Sequence, residues 1–399
     1  MATKNMAVLF GSRSCEHDVS VVSAVQWMAA ANKEKYNVVP VYLARDGGWY
    51  TGAPLLNIEA YSSFNPKADG ITRVLPDLSA DSRALIEYVE RPRLLGGRKV
   101  VARIDVAAPI FHGLNGEDGS IQGVLELMNV PYTSSGIVGS AVGMDKIVMK
   151  QLFLGCGFPI LDFAWYSRDA WNERADAILD EIENKIGYAC FVKPANLGSS
   201  IGIHKAKDRD GLREAMEIAF SFDRRVVIEP AVEKPVEVNC SVLGFGDEAE
   251  ASLCEAPVTW QEFLTFEEKY INGGGKGTSG GKGGMADLKR RIPAPIGDDM
   301  TARVQKLSVD IFRAMDCKGV VRIDFMIDPA SGALYVNEIN TIPGSLAFYL
   351  WTANGLPFDR LIDRAVEFAE KAHAQKNAAS FGFDSSILAK AGKGMKGRK

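Results

Sequence analysis

Four residues in the C-terminal half, Arg322, Asp324, Glu338 and Asn340, are spaced for metal and phosphate chemistry. Each pair lies two apart within a run of strand-forming composition, GVVRIDFMI and LYVNEIN, and the DPASG between them is turn chemistry. We expect strands over residues 320–327 and 334–339. Strand side chains alternate between faces, so each pair shares a face. If the strands are neighbours, one guanidinium and three oxygen donors meet on one sheet surface. Two carboxylates and an amide oxygen suit a hard cation such as Mg²⁺, held partly by carboxylates and partly by substrate phosphates. Any one of these residues alone reads as a solvated strand position. The matched spacing, followed by Pro343-Gly344-Ser345, points to a metal–nucleotide site.

The elements that must position this face follow from the rest of the chain. Residues 6–10 read as a strand, GSRSCEHD as a turn, 19–31 as a helix and 38–43 as a second strand. This βαβ start is typical of a parallel sheet with ligands at the strand C-termini. Ser12, Ser14, Glu16 and His17 fall at that place, where a ligand site and helix capping by Asp18 are equally compatible with position. Residues 45–100 are punctuated by Gly and Pro and read as a hairpin or an insertion. A strand over 106–111 leads into HGLNGEDGSIQG, where His112 is open to a ligand role or a structural one. Helices are expected over 120–128, 140–154, 208–220, 298–315 and 357–371, with further strands over 226–232 and 237–243.

Lys193 ends an apolar strand, ACFVKP, where an unpaired ammonium is costly to bury and a phosphate would offset it. The small loop after it, ANLGSSIG, has backbone N–H groups able to close over phosphates. Residues 273–284 hold eight glycines and read as a mobile lid or insert. Gly275, Gly277 and Gly280 match GxGxxG in letters only, because no strand precedes them and no helix follows. No Walker A loop is present. Residues after about 375 are small and basic and are expected to fray.

With 399 residues, 47% of them hydrophobic, the chain is long enough for two or three domains. A formal net charge of −4 gives no electrostatic reason to expect a nucleic-acid partner. No apolar run is long enough for a membrane span, and no signal peptide is expected. The six cysteines form no CxxC pair, which favours free thiols in a reducing cytoplasm.

The motifs GSRSCEHDVSVVSA, HGLNGEDGSIQGVLE, PYTSSGIVGSAVGMDK, FVKPANLGSSIGI, EEKY, RIDF and NEINTIPGSL, in this order, resemble the D-alanine–D-alanine ligase family of ATP-grasp enzymes over roughly residues 6–370. The resemblance implies an α/β fold, α+β in its C-terminal part, with an N-terminal Rossmann-like βαβ domain. It implies a first domain over 1–134 that binds the first D-alanine. Central and C-terminal ATP-grasp subdomains over 135–229 and 230–375 and a basic tail over 376–399 would follow. It implies ATP as substrate, two Mg²⁺ ions replaceable by Mn²⁺, and a homodimer.

The resemblance also assigns roles. Asp324, Glu338 and Asn340 would hold the metal. Lys146, Lys193 and Ser200 would contact the phosphates, Glu229 adenine, Glu237 ribose and Lys269 the nucleotide from the lid. Glu16 would pair with the first D-alanine's ammonium, with His112 beside that substrate. Glu16, Ser199 and Tyr270 would form a hydrogen-bonded trio. Arg322 and the Gly344 N–H would stabilise the oxyanion, and Ser345 and Leu346 would hold the second amino acid. The chain departs from the common pattern in its glycine-rich lid, its extra residues over 47–103 and its short link from Pro343 to Ser345. The stretch IPGSLAFYLW resembles the branch that includes D-alanine–D-serine ligases. Tyr270, where lactate-using relatives carry histidine, favours an amine nucleophile.

Overall fold

The computed structural model describes residues 3–79, 81–90, 99–257 and 290–380. The lid stretch, with Lys269 and Tyr270, and the basic tail beyond residue 380 lie outside the described residues.

Three sheets organise the chain. The first is built on β1 (Lys4–Gly11), whose Met6–Phe10 run is fully buried, as expected of a strand covered on both faces. It runs parallel to β2 (Tyr36–Leu43) and β7 (Val106–Pro109). The punctuated segment between them is an antiparallel extension of the same sheet. It consists of β3 (Trp49–Thr51), β4 (Thr72–Pro76), β5 (Ala84–Glu87) and β6 (Val100–Arg103). Helix α1 (His17–Ala30) begins with Glu16 at its N-cap position, not Asp18. Asp18 sits in the first turn and pairs with Arg45 at 2.9 Å.

After α2 (Ser120–Leu127), the single helix expected over 140–154 is broken in two: α3 (Ile137–Met144) and α4 (Lys146–Gly155). The break is at Asp145, in extended backbone. One of its carboxylate oxygens accepts from the N–H groups of Ile147 and Val148, both at 3.1 Å, and the other pairs with Arg225. An N-cap and a distant cation thus outweigh local helix propensity.

The second sheet, in the order β10-β9-β11-β8, is antiparallel. Its strands are β8 (Ala164–Ser167), β9 (Cys190–Pro194), β10 (His204–Ala206) and β11 (Arg225–Pro230), so the last ends at its proline. It packs on α5 (Arg168–Lys185) and α6 (Arg209–Phe222).

The third sheet has the order β14-β13-β12-β15-β16. It comprises β12 (Val236–Phe245), β13 (Glu248–Pro257), β14 (Arg290–Arg291), β15 (Lys318–Ile327) and β16 (Leu334–Asn340). Helix α7 (Asp298–Ala314) covers its apolar face. Strand β13 and the short α8 (Phe348–Ala353) have no counterpart in the sequence reading.

The last helix, α9 (Phe358–Ala378), runs well past the expected end at residue 371. It joins two cores. Ile362, Val366 and Ala369 pack into the first sheet's core, while Leu361 and Phe368 pack with Leu243, Val320 and Trp351. Asp363 on this helix accepts from Lys35 at 2.6 Å and from the Tyr36 hydroxyl at 3.0 Å. No described helix is long and apolar enough to cross a membrane.

Candidate active site

The hairpin of β15 and β16 pairs as the spacing predicts. Arg322 faces Asn340 and Asp324 faces Glu338. Directly opposed residues share a face, and the register continues outward: Asp324 faces Asn239 on β12, and Asn239 faces Glu255 on β13. Glu255, Asn239, Asp324 and Glu338 therefore form a polar row across four strands. Glu237 lies on the same face one step along β12, opposite Met326, and is exposed.

The Arg322 guanidinium contacts both oxygens of Asp324 at 2.6 Å, and the Asn340 amide donates to the same carboxylate at 3.1 Å. Burial disfavours the Arg322 charge, but Asp324, then Tyr349 and Glu255, outweigh it and raise its pKa further. Glu255 is buried and accepts from Asn239 at 3.0 Å, the Tyr349 hydroxyl at 2.9 Å and Arg290 at 3.0 Å.

Asp324, Glu338 and Asn340 fit a magnesium site: hard oxygen donors on neighbouring strands, too few to saturate the ion without phosphates. Among the described residues no group of three or more His, Cys, Asp or Glu is placed to hold a metal, so the donor set here is two carboxylates and one amide oxygen.

Lysines border this face. The Lys146 ammonium donates to the Leu197 carbonyl at 2.6 Å and lies 3.6 Å from Glu338. The ammonium that ends β9 meets a carboxylate within the protein: Glu229, buried on β11, takes ion pairs from both Lys193 and Lys150. Burial opposes the Glu229 charge, but the two lysines outweigh it and hold the carboxyl at about 2.

Two loops converge on Glu16. The Ser199 hydroxyl donates to its carboxylate across two sheets. A Cβ at Gly198 or Gly113 would lie 2.8 or 2.7 Å from its Oε2, so both loops press against it. Ser199 and Ser200 both adopt positive φ in this small loop. His112 is buried, with Nε2 2.9 Å from the Ser23 hydroxyl, and burial pushes its pKa down to about 4, so the ring is neutral. The Ser345 N–H also reaches the Ser23 hydroxyl, at 3.2 Å. Ser345, Leu346 and Ala347 are consecutive left-handed residues, a strained arrangement typical of functional loops. Gly344 opens this turn.

Glu117 ties the same region together. One oxygen accepts from Gly113 N–H at 2.9 Å and the other from Ile342 N–H at 3.0 Å. Burial, then the neighbouring Glu16 charge, push its pKa up to about 8 despite those donors. Ser23, Glu117, Lys150, Asn239 and Glu255 received no role from the sequence. The available signal was polar type at core positions: Ser20 and Ser23 are buried inside α1.

The D-alanine–D-alanine ligase structure from Coxiella burnetii matches with a TM-score of 0.75 at 26% identity, over 94% of this chain and 98% of that one. VanG D-Ala:D-Ser ligase from Enterococcus faecalis matches with a TM-score of 0.75 at 28% identity, over 92% and 100%. The sheets and the polar face between them define an ATP-grasp ligase. Family models described as D-ala D-ala ligase N-terminus and C-terminus match residues 5–135 and 152–367. A D-alanine–D-alanine ligase of Heliobacterium modesticaldum is 38% identical over 95% of this chain and 98% of that protein. One of Bacillus velezensis is 36% identical over 92% and 98%. The chain belongs to the D-alanine–D-alanine ligase family.

Proposed function

We propose that this protein joins two D-alanines at the expense of ATP, for peptidoglycan precursor synthesis, and that the polar face of β15 and β16 is where the phosphoryl group moves. The observation that carries the reading is the register placing Arg322, Asp324, Glu338 and Asn340 on one surface, with Lys146 3.6 Å from Glu338.

A carboxylate is a poor electrophile. Transfer of the γ-phosphoryl group to it gives an acyl phosphate, the amine of the second D-alanine attacks, and phosphate leaves the tetrahedral intermediate. Phosphoryl transfer is mostly positioning and charge neutralisation, the work assigned to Lys146 and Lys193, with Ser200 on the same loop. Asp324, Glu338 and Asn340 would hold Mg²⁺, which when bound neutralises phosphate charge. Glu16, steadied by Ser199, holds the ammonium of the first substrate, with neutral His112 beside it. Arg322 and the Gly344 N–H receive the oxyanion, and the strained turn at Ser345 and Leu346 positions the acceptor. Glu229 and Glu237 serve adenine and ribose. Outside the described residues, Lys269 would contact the nucleotide and Tyr270 would complete the trio with Glu16 and Ser199, while a closed lid would keep water from the acyl phosphate.

The test is ADP release with ATP, Mg²⁺ and D-alanine, followed by mass analysis of the product. A D-alanyl-D-alanine product supports the reading, and no release with D-alanine would overturn it. The names of the curated relatives favour D-alanine over D-serine as acceptor. A dominant mixed product with D-serine in competition would reverse that preference. By family analogy the protein works in the cytoplasm as a homodimer, which sedimentation equilibrium tests.

A further inference from the structure

A second cleft, of about 290 Å³, lies where α2, the 130–136 loop, the ends of β12 and β15, and α9 meet. It opens beside Lys318, four residues before Arg322 and so roughly 13 Å along the strand from it. Val130, Pro131, Tyr132 and Phe245 give it an apolar wall. Its volume falls just short of the range of small-molecule sites, roughly 300–1,000 Å³, and suits a compact ligand.

The charged groups around it are mostly committed. Glu126 accepts from the Tyr132 hydroxyl at 2.7 Å and pairs with Lys376. His373 uses Nε2 on Asn129, at 3.0 Å to the backbone carbonyl and 2.9 Å to the side chain, and burial lowers its pKa. Asp316 is exposed at the rim. Lys318 differs. It is 9% exposed, and its ammonium sits 3.5 Å from the centroid of the Tyr132 ring, yet it has no hydrogen-bond acceptor or ion-pair partner among the described residues. The π face compensates a buried ammonium only in part.

We propose that this cleft is a second ligand site, taking a small monocarboxylate whose charged end caps Lys318 and whose compact apolar body lies on Tyr132 and Phe245. A single negative charge is specified because one cation is uncommitted, while Glu126 and Asp316 repel a dianion. Burial also pushes the Lys318 pKa down to about 8, outweighing the more distant Glu126 and Asp316 charges that act to raise it.

The test uses benzoate as probe, titrated calorimetrically into the full chain, with inorganic phosphate as the dianionic comparison. Saturable benzoate binding, stronger than that of phosphate and undisturbed by ATP and D-alanine, is expected. Lys318→Met should weaken it at least about tenfold, the loss of one charge-assisted hydrogen bond, while Lys318→Arg stays within a few-fold. Ala372→Trp, which adds bulk to the cleft from α9 and leaves residue 318 a lysine, should abolish binding and keeps the test decisive if Lys318→Met does not fold. No saturable binding, displacement by D-alanine or ATP, phosphate binding as tightly, or benzoate affinity unchanged in a folded Lys318→Met or in Ala372→Trp would each overturn the proposal.

Discussion

Arg322 and Asp324 lie fork to fork on one face of β15, with both N–O contacts at 2.6 Å. A guanidinium so held is rigid and permanently charged, the preorganised state that oxyanion stabilisation requires. Replacing Arg322 by Ala should lower kcat by about 10²–10³, the range for loss of one oxyanion donor. Lysine should not restore it, because an ammonium cannot make the fork. Steady-state ADP release checks this; near-normal turnover of the Ala variant would remove Arg322 from the mechanism, and near-normal turnover of the Lys variant would show that charge alone, without the fork, suffices.

Glu117 carries a pH signature. Its folded pKa is raised to about 8, so between about 4.5 and 8 the folded state holds a proton that the unfolded state has released. Stability from this group therefore falls as pH rises through that window. Glu117→Gln should lose this dependence. The difference in melting temperature between wild type and variant should change between pH 5 and 8.5, and a constant difference would show that Glu117 titrates normally.

Glu229 behaves in the opposite sense. Its pKa is depressed to about 2, so its contribution is present above about 4.5 and lost as pH falls towards 2. Glu229→Gln leaves the Lys150 and Lys193 ammoniums without their carboxylate. The expected cost is about 3–5 kcal/mol at neutral pH, measured by urea unfolding and much reduced at pH 3. An unchanged midpoint at neutral pH would mean the lysines find another anion.

Gly319 holds φ at +74°, and a Cβ there would stand 1.9 Å from the Thr133 carbonyl oxygen. Gly319→Ala should destabilise by about 3 kcal/mol, from left-handed strain of roughly 1–2 and a backbone clash of roughly 1–3 kcal/mol. Chemical denaturation reads this directly. A loss below about 1 kcal/mol would show that the strand and the 133–135 loop separate easily.

The sequence by itself determined the hairpin and its polar face. Alternation along a strand is a local property, so two pairs spaced by two announce a shared surface before any partner is known. It also determined the βαβ start, because a buried parallel strand is a continuous apolar run. The break of the long helix at Asp145 could not be read there, because its cause includes Arg225 from a distant strand. Nor could the contacts that join the site across the chain: Ser199 with Glu16, 183 residues apart, and Ile342 with Glu117, 225 apart. Side chains such as Ser23 and Glu117 leave no period in the sequence, since one polar residue on a core face reads the same with or without a partner. Only the packing of the sheets, with α9 clamped to the first and third, decided which loops meet and which carboxylates are pushed to opposite pKa extremes.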